Sequence, residues 1–141
     1  MSSFVVKTKV YSGVEAFQYL KNYDIKHACI ITDPFVESSG MSKLLTAVLD
    51  EMGTEYRIFS DVIPDPPIEV IVEGVEKILE HGPDAVIAMG GGSAIDSAKS
   101  INYFYMRMEN VKKPLFIAIP TTSGTGSEVT EFSVITDRQA N

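Results

Sequence analysis

Apolar residues along the chain fall into two alternating patterns. Four short runs, residues 28–32, 56–59, 85–89 and 115–119, are apolar at nearly every position. Between them lie stretches 14–21, 39–52, 68–81 and 93–109, in which apolar residues return at helical spacing. Continuous apolar runs imply strands buried on both faces, as in a parallel sheet covered by helices. The runs recur about every thirty residues, the length of a βαβ unit. The pattern predicts a doubly wound α/β domain with a mostly parallel sheet. Residues 129–136 alternate and predict a further strand, and Asp137-Arg138-Gln139-Ala140-Asn141 reads as the turn of an incomplete hairpin. An unpaired strand before a terminal turn makes the chain look truncated.

In such a sheet, ligands bind outside the carboxyl ends of the strands. The relevant loops follow Thr32, Phe59, Met89 and Ile119. The third is Gly90-Gly91-Gly92-Ser93-Ala94-Ile95-Asp96-Ser97-Ala98-Lys99. Glycines there let the main chain turn and let a ligand approach without Cβ interference. The first N–H groups of the following helix lack internal partners, and its dipole adds positive charge, so a phosphate or pyrophosphate suits the position. Ser93 reads as the N-cap and Asp96, three residues on, as a capping-box partner. The spacing is neither G-x-G-x-x-G, since Ile95 replaces the third glycine, nor a Walker A loop. A plain strand–turn–helix corner is the alternative.

The other loops carry less specific chemistry. Asp33-Pro34 ends the first run: an acidic residue there can bond ribose hydroxyls and repel a 2′-phosphate, and Asp-Pro equally forms turns. The second loop, Asp61-Val62-Ile63-Pro64-Asp65-Pro66-Pro67, is stiff and leads into a helix. Lys99 is a solvated side chain or a phosphate partner. The fourth loop, Pro120-Thr121-Thr122-Ser123-Gly124-Thr125-Gly126-Ser127-Glu128, interleaves hydroxyls with glycine. Neither histidine has a route to Ser123 or Ser127, which argues against a nucleophilic triad.

Composition narrows the class. The 141 residues suit one domain, and 45% apolar with 22% charged residues is ordinary for a globular chain. A net charge of −7 argues against nucleic acid or an anionic membrane as partner. No run is long enough to span a membrane and the first residues do not form a signal peptide. The single cysteine, Cys29, lies in an apolar run and reads as a buried small hydrophobe in a reducing, cytoplasmic setting. His27 and His81 show no ligand-type spacing; His81, at a helix end before Gly82-Pro83, reads as a partner of the helix dipole.

The pairing of GGGSAIDSAK (90–99) with PTTSGTGSEVT (120–130) resembles the iron-containing, group III alcohol dehydrogenases. ITDPFV (31–36), PDPPIEV (64–70) and VITD (134–137) follow in the family's order. The resemblance implies a dehydroquinate synthase-like N-terminal domain that binds NAD. It implies that Asp33 contacts the adenosine ribose and favours NAD over NADP. Gly91, Gly92, Ser93 and Asp96 would form the pyrophosphate turn and helix cap. Thr121, Thr122 and Thr125 would line the cofactor, and Val134 would touch it near the nicotinamide. Asp65 stands where many relatives carry asparagine. The family holds Fe2+ or another divalent metal with one aspartate and three histidines of a helical second domain, which residues 1–141 would lack. The full-length enzyme is then expected to be a homo-oligomer passing hydride between NAD(H) and a small alcohol or aldehyde. The chain alone is expected to be inactive and to hold no metal. A stand-alone nucleotide-binding or protein-interaction module is the alternative.

Overall fold

The computed structural model describes residues 9–11, 15–121 and 134–135. In chain order the elements are β1 (Lys9–Val10), a 3-10 helix (Ala16–Asn22), β2 (His27–Thr32), α1 (Pro34–Ser39), α2 (Ser42–Met52), β3 (Glu55–Phe59), α3 (Ile68–His81), β4 (Ala85–Gly90), α4 (Gly92–Tyr105), β5 (Leu115–Pro120) and β6 (Val134–Ile135). They form a six-stranded sheet of order β1-β6-β5-β4-β2-β3. Strands β3, β2, β4 and β5 are mutually parallel. From β2 the chain moves outward to β3, then returns to the other side of β2 to lay down β4. The winding direction therefore reverses between β2 and β4, which opens a crevice at their carboxyl ends.

The uninterrupted apolar runs are explained by two cores, one on each face. Successive side chains of a strand point to opposite faces. Ala28, Ile30, Ile87, Met89, Ile117 and Ile119 pack with Leu45, Val48 and Leu49 of α2. Their neighbours Cys29, Ile31, Val86, Ala88, Phe116 and Ala118 pack with Ile71, Val75 and Ile78 of α3 and with Ala94, Ala98 and Ile101 of α4. Each fully buried isoleucine contributes roughly 1.5–3 kcal/mol of transfer free energy. The edge strand β3 departs from this pattern, exposing Glu55, Arg57 and Ile58.

Several sequence expectations are corrected. The helix predicted over 39–52 is α2, which begins at Ser42; ahead of it stands an unpredicted short helix, α1 (Pro34–Ser39), which Gly40 ends at φ 83°. That predicted over 14–21 is a 3-10 helix over Ala16–Asn22, and Val14 lies outside the described residues. The helix predicted over 93–109 stops at Tyr105. Of the strand predicted over 129–136 the described part is Val134–Ile135, which pairs antiparallel with both β5 and β1. It is thus not an unpaired strand; the partner that sequence could not supply comes from the chain's beginning. Among the described residues, no helix is long and apolar enough to cross a membrane.

The amino end of the sheet is tied by Asp84. Its carboxylate accepts from the backbone N–H of Lys26 at 2.8 Å and of His27 at 3.1 Å, and Lys112 lies at 3.6 Å. Burial disfavours the charged form, but these N–H bonds and the Lys112 ammonium outweigh it and hold the carboxyl below its ordinary value. Here too the fold joins the two histidines that no sequence spacing links: their rings meet edge to face at 5.6 Å. His27 Nδ1 lies 3.2 Å from Glu55 Oε2. His81 Nε2 is buried without a hydrogen-bond partner among the described residues. Burial, then the charges of Arg57 and His27, push the His81 pKa below 6.5, although it stands in the last turn of α3 as expected. Because the folded pKa is depressed, the unfolded chain takes up the proton first as pH falls. Stability is thus full above about pH 6.5 and declines as pH drops through and below that value. Thermal melts of His81→Gln between pH 7.5 and pH 5 should show a shallower acid decline than the parent. Parallel declines would remove His81 as a cause.

Candidate functional site

Two short contacts tie the carboxyl ends of the strands, one between β2 and β4 and one from the end of β5 to β4. Thr32 Oγ1 donates to the Met89 carbonyl at 2.6 Å, and Thr121 N–H donates to the Gly90 carbonyl at 2.8 Å. The first satisfies a fully buried hydroxyl and locks the last residues of the two strands together. Thr121 is thereby held beside the glycine turn, although it does not line the cavity described below.

Asp33 follows β2 directly and caps α1. Its Oδ1 accepts from the Val36 N–H at 2.8 Å, and Pro34 fills the first helical position, where a missing N–H costs nothing. Both readings of Asp33 therefore have a structural basis, because the other oxygen is free of the cap. Oδ2 faces Gly90: a Cβ built on that glycine would lie 3.0 Å from Asp33 Oδ2 and 2.7 Å from Ala94 Cβ. Gly90 also has φ 153°, a conformation that side chains disfavour. It is the residue that lets β2, β4 and α4 converge. The sequence reading placed Gly90 in the turn without assigning it a site role; the signal was its position as the first of three glycines.

Helix α4 begins at Gly92 with Gly91 as N-cap, and no side chain caps it. The expected Ser93–Asp96 capping box is not formed. Only Gly91 separates β4 from α4, which starts at Gly92, and Ser93 falls inside its first turn. Ser93 and Asp96 are both exposed. Uncapped helix N–H groups leave donors available to a ligand. Among the described residues, nothing lies within 4 Å of the position a Cβ would take on Gly91 or Gly92. The open space beside these two glycines faces the crevice.

A cavity of about 330 Å³ occupies this point. One wall is Asp33, Pro34 and Phe35; a second is Gly91, Gly92, Ser93 and Ala94; the third is Val62, Ile63 and Pro64 from the loop after β3. Three of the four expected loops thus converge. Of the fourth, Thr121 is placed, and Thr122 and Thr125 lie outside the described residues, as does the Val134 side chain. Asp96 lies in the second turn of α4, away from the residues lining the cavity. Asp65 is exposed at φ 46° and does not line it either. Sequence reasoning passed over the apolar wall of Phe35, Val62, Ile63 and Pro64. The strongest available signal was that Phe35 and Ile63 are large apolar residues in loops, and both are exposed at the cavity.

Residues 7–141 match the family model of iron-containing alcohol dehydrogenases. The chain is 43% identical over 137 residues to the 1-propanol dehydrogenase PduQ of Citrobacter freundii, covering 97% of this chain and 36% of that protein. It is 37% identical over 152 residues to an NADPH-dependent butanol dehydrogenase of Clostridium saccharobutylicum, covering 97% and 39%. Its fold superimposes on the iron-containing alcohol dehydrogenase of Thermococcus thioreducens with a TM-score of 0.70 at 28% identity, covering 95% of this chain and 43% of that one. The chain spans little more than a third of the length of these curated relatives. With a crevice built by its own glycine turn and a family match over nearly its whole length, the chain belongs to the iron-containing alcohol dehydrogenases.

Proposed function

We propose that this chain holds the dinucleotide of a hydride transfer between NAD(H) and a small alcohol or aldehyde. One observation carries the reading: Asp33, the glycine turn and the uncapped start of α4 enclose one cavity where the winding of the sheet reverses. The residues fit the group. The free N–H groups at the start of α4 and the open flanks of Gly91 and Gly92 suit a pyrophosphate, with Ser93 beside them. Asp33 Oδ2 suits a ribose diol, and Phe35, Val62, Ile63 and Pro64 offer an apolar wall to a planar base. Thr121, Thr122, Thr125 and Val134 are proposed to continue the site toward the nicotinamide, and Asp96 to support the turn from behind. The nicotinamide, when bound, supplies the hydride acceptor; this chain binds and orients it. The single free, buried thiol suits a reducing cytoplasm.

The metal of the family is a different matter. Among the described residues, no group of three or more His, Cys, Asp or Glu side chains comes together as a metal site. The two imidazoles lie at the amino end of the sheet, opposite the crevice. The described residues therefore do not make the family's metal site.

Calorimetric titration of the 141-residue chain with NAD is expected to give weak, saturable binding in the millimolar range, without NADH production from propanol or butanol. Absence of heat from a folded sample would remove the dinucleotide reading. Turnover that appears on anaerobic addition of ferrous iron would show that this chain completes a metal site by itself.

A further inference from the structure

A second cavity, of about 390 Å³, lies on the sheet face covered by α3, at the β3 edge. Its floor follows from strand register. Cys29 pairs with Arg57 and Ile31 with Phe59, so these four side chains share one face of the β2–β3 ribbon. Ile78 of α3 closes the apolar end. The β3 edge has no strand beyond it, and α3 reaches only part of this face, which leaves the gap.

The rim is charged. Arg57 and Lys77 both line the cavity, and among the described residues neither has an ion-pair partner within 4 Å. Asp61 shares the rim, so one net positive charge remains. Ser60 adds a hydroxyl. On a chain of net charge −7, these two cations stand together over one apolar floor. An arginine fork binds a carboxylate in two parallel hydrogen bonds, and a lysine adds a mobile point charge. The floor rewards an aliphatic body and carries no group that competes for the anion. Cys29, its only reactive atom, is an inert thiol, pushed up to about 12 by burial, with Arg57 pulling slightly the other way.

The geometry points to this cavity as a binding site for a short aliphatic carboxylate, its head between Arg57 and Lys77 and its chain on Ile31, Phe59 and Ile78. The site is separate from the crevice between β2 and β4, and the assignment stands whether or not that crevice holds a dinucleotide.

The test is methyl NMR of the 141-residue chain with labelled isoleucines, titrated with hexanoate. Ile31 and Ile78 line this cavity, and Ile63 lines the other, so one spectrum separates the two sites. Hexanoate should move Ile31 and Ile78 in a saturable way and leave Ile63 unmoved. Arg57→Gln and Lys77→Gln, both at exposed positions, should each weaken the effect about tenfold without changing the melting temperature. Hexanol, which has the same chain and no charge, should bind at least about tenfold more weakly than hexanoate. Equal binding of hexanol, or unchanged affinity in both variants, would overturn the charge readout. Inorganic phosphate moving the same methyls as tightly as hexanoate would overturn the aliphatic assignment, and shifts confined to Ile63 would overturn the site itself.

Discussion

Replacing Gly90 by alanine is expected to abolish detectable NAD binding and to destabilise the domain by about 1–3 kcal/mol. The added methyl would stand 2.7 Å from Ala94 Cβ and 3.0 Å from Asp33 Oδ2. Neither neighbour is free to move: one is held in α4, and the other belongs to a carboxylate whose Oδ1 is bonded to Val36 N–H. The chain can relieve the clash only by moving α4 away from β2, which opens the cavity. The backbone at φ 153° adds to the cost. Gly92 supplies the contrast. A methyl there meets no atom of the described residues within 4 Å, and the residue is the first of a helix, where alanine is favoured over glycine by up to ~1 kcal/mol. Gly92→Ala should thus raise stability slightly while lowering NAD affinity, because the space it fills is the ligand's. Melting curves and calorimetry on both variants read the two effects separately. If Gly92→Ala binds NAD like the parent, the pyrophosphate does not pass over this turn.

The parallel core of the fold was legible in the sequence because its cause is local and strong. Strands buried on both faces need apolar residues at every position, and α3 was bounded correctly by Pro67 before it and Gly82 after it. What was not legible depended on partners far along the chain. The capping box was misplaced because Ser93 looks like a cap in isolation, while the length of β4 decides where α4 begins. Helix α1 was missed because Asp33-Pro34 reads equally as a turn, and its six residues are too few to show a helical period. The pairing of β6 with β1 joins residues from the two ends of the chain, which periodicity does not encode. In the site, the glycine turn and Asp33 were found because each breaks the composition of the strand before it. The wall of Val62, Ile63 and Pro64 resembles any stiff loop until the crossover lays it against Asp33. The meeting of His27 with His81 is of the same kind: a strand start and a helix end become neighbours only when the sheet forms.

The cofactor preference should turn on a single oxygen. In the proposed reading Asp33 divides its carboxylate between two tasks, with Oδ1 on the Val36 N–H and Oδ2, which lies beside Gly90, left for the ribose. Serine keeps the first task, because its hydroxyl caps a helix about as well as aspartate does. It loses the second, since it brings no charge. Asp33→Ser should therefore leave the melting temperature close to the parent's and change the ratio of NAD to NADP affinities. A carboxylate about 4 Å from a phosphate charge costs on the order of 1 kcal/mol at the dielectric of water and ~4 kcal/mol at that of a protein surface. Each ~1.4 kcal/mol is tenfold in Kd, so the gap between the cofactors should close by about tenfold or more. Raising the salt should close part of the same gap in the parent, because the repulsion is electrostatic and a partly open cavity is screened. Asp33→Ala separates the two tasks from the other side: it should show the same change in preference together with a loss of about 0.5–2 kcal/mol in stability from the missing cap. Titrations of all three proteins with both cofactors, at low and high salt, provide the measurement. An unchanged NAD-to-NADP ratio in Asp33→Ser, with the fold intact, would reduce Asp33 to the cap of α1 and leave cofactor choice to residues elsewhere in the loop cluster.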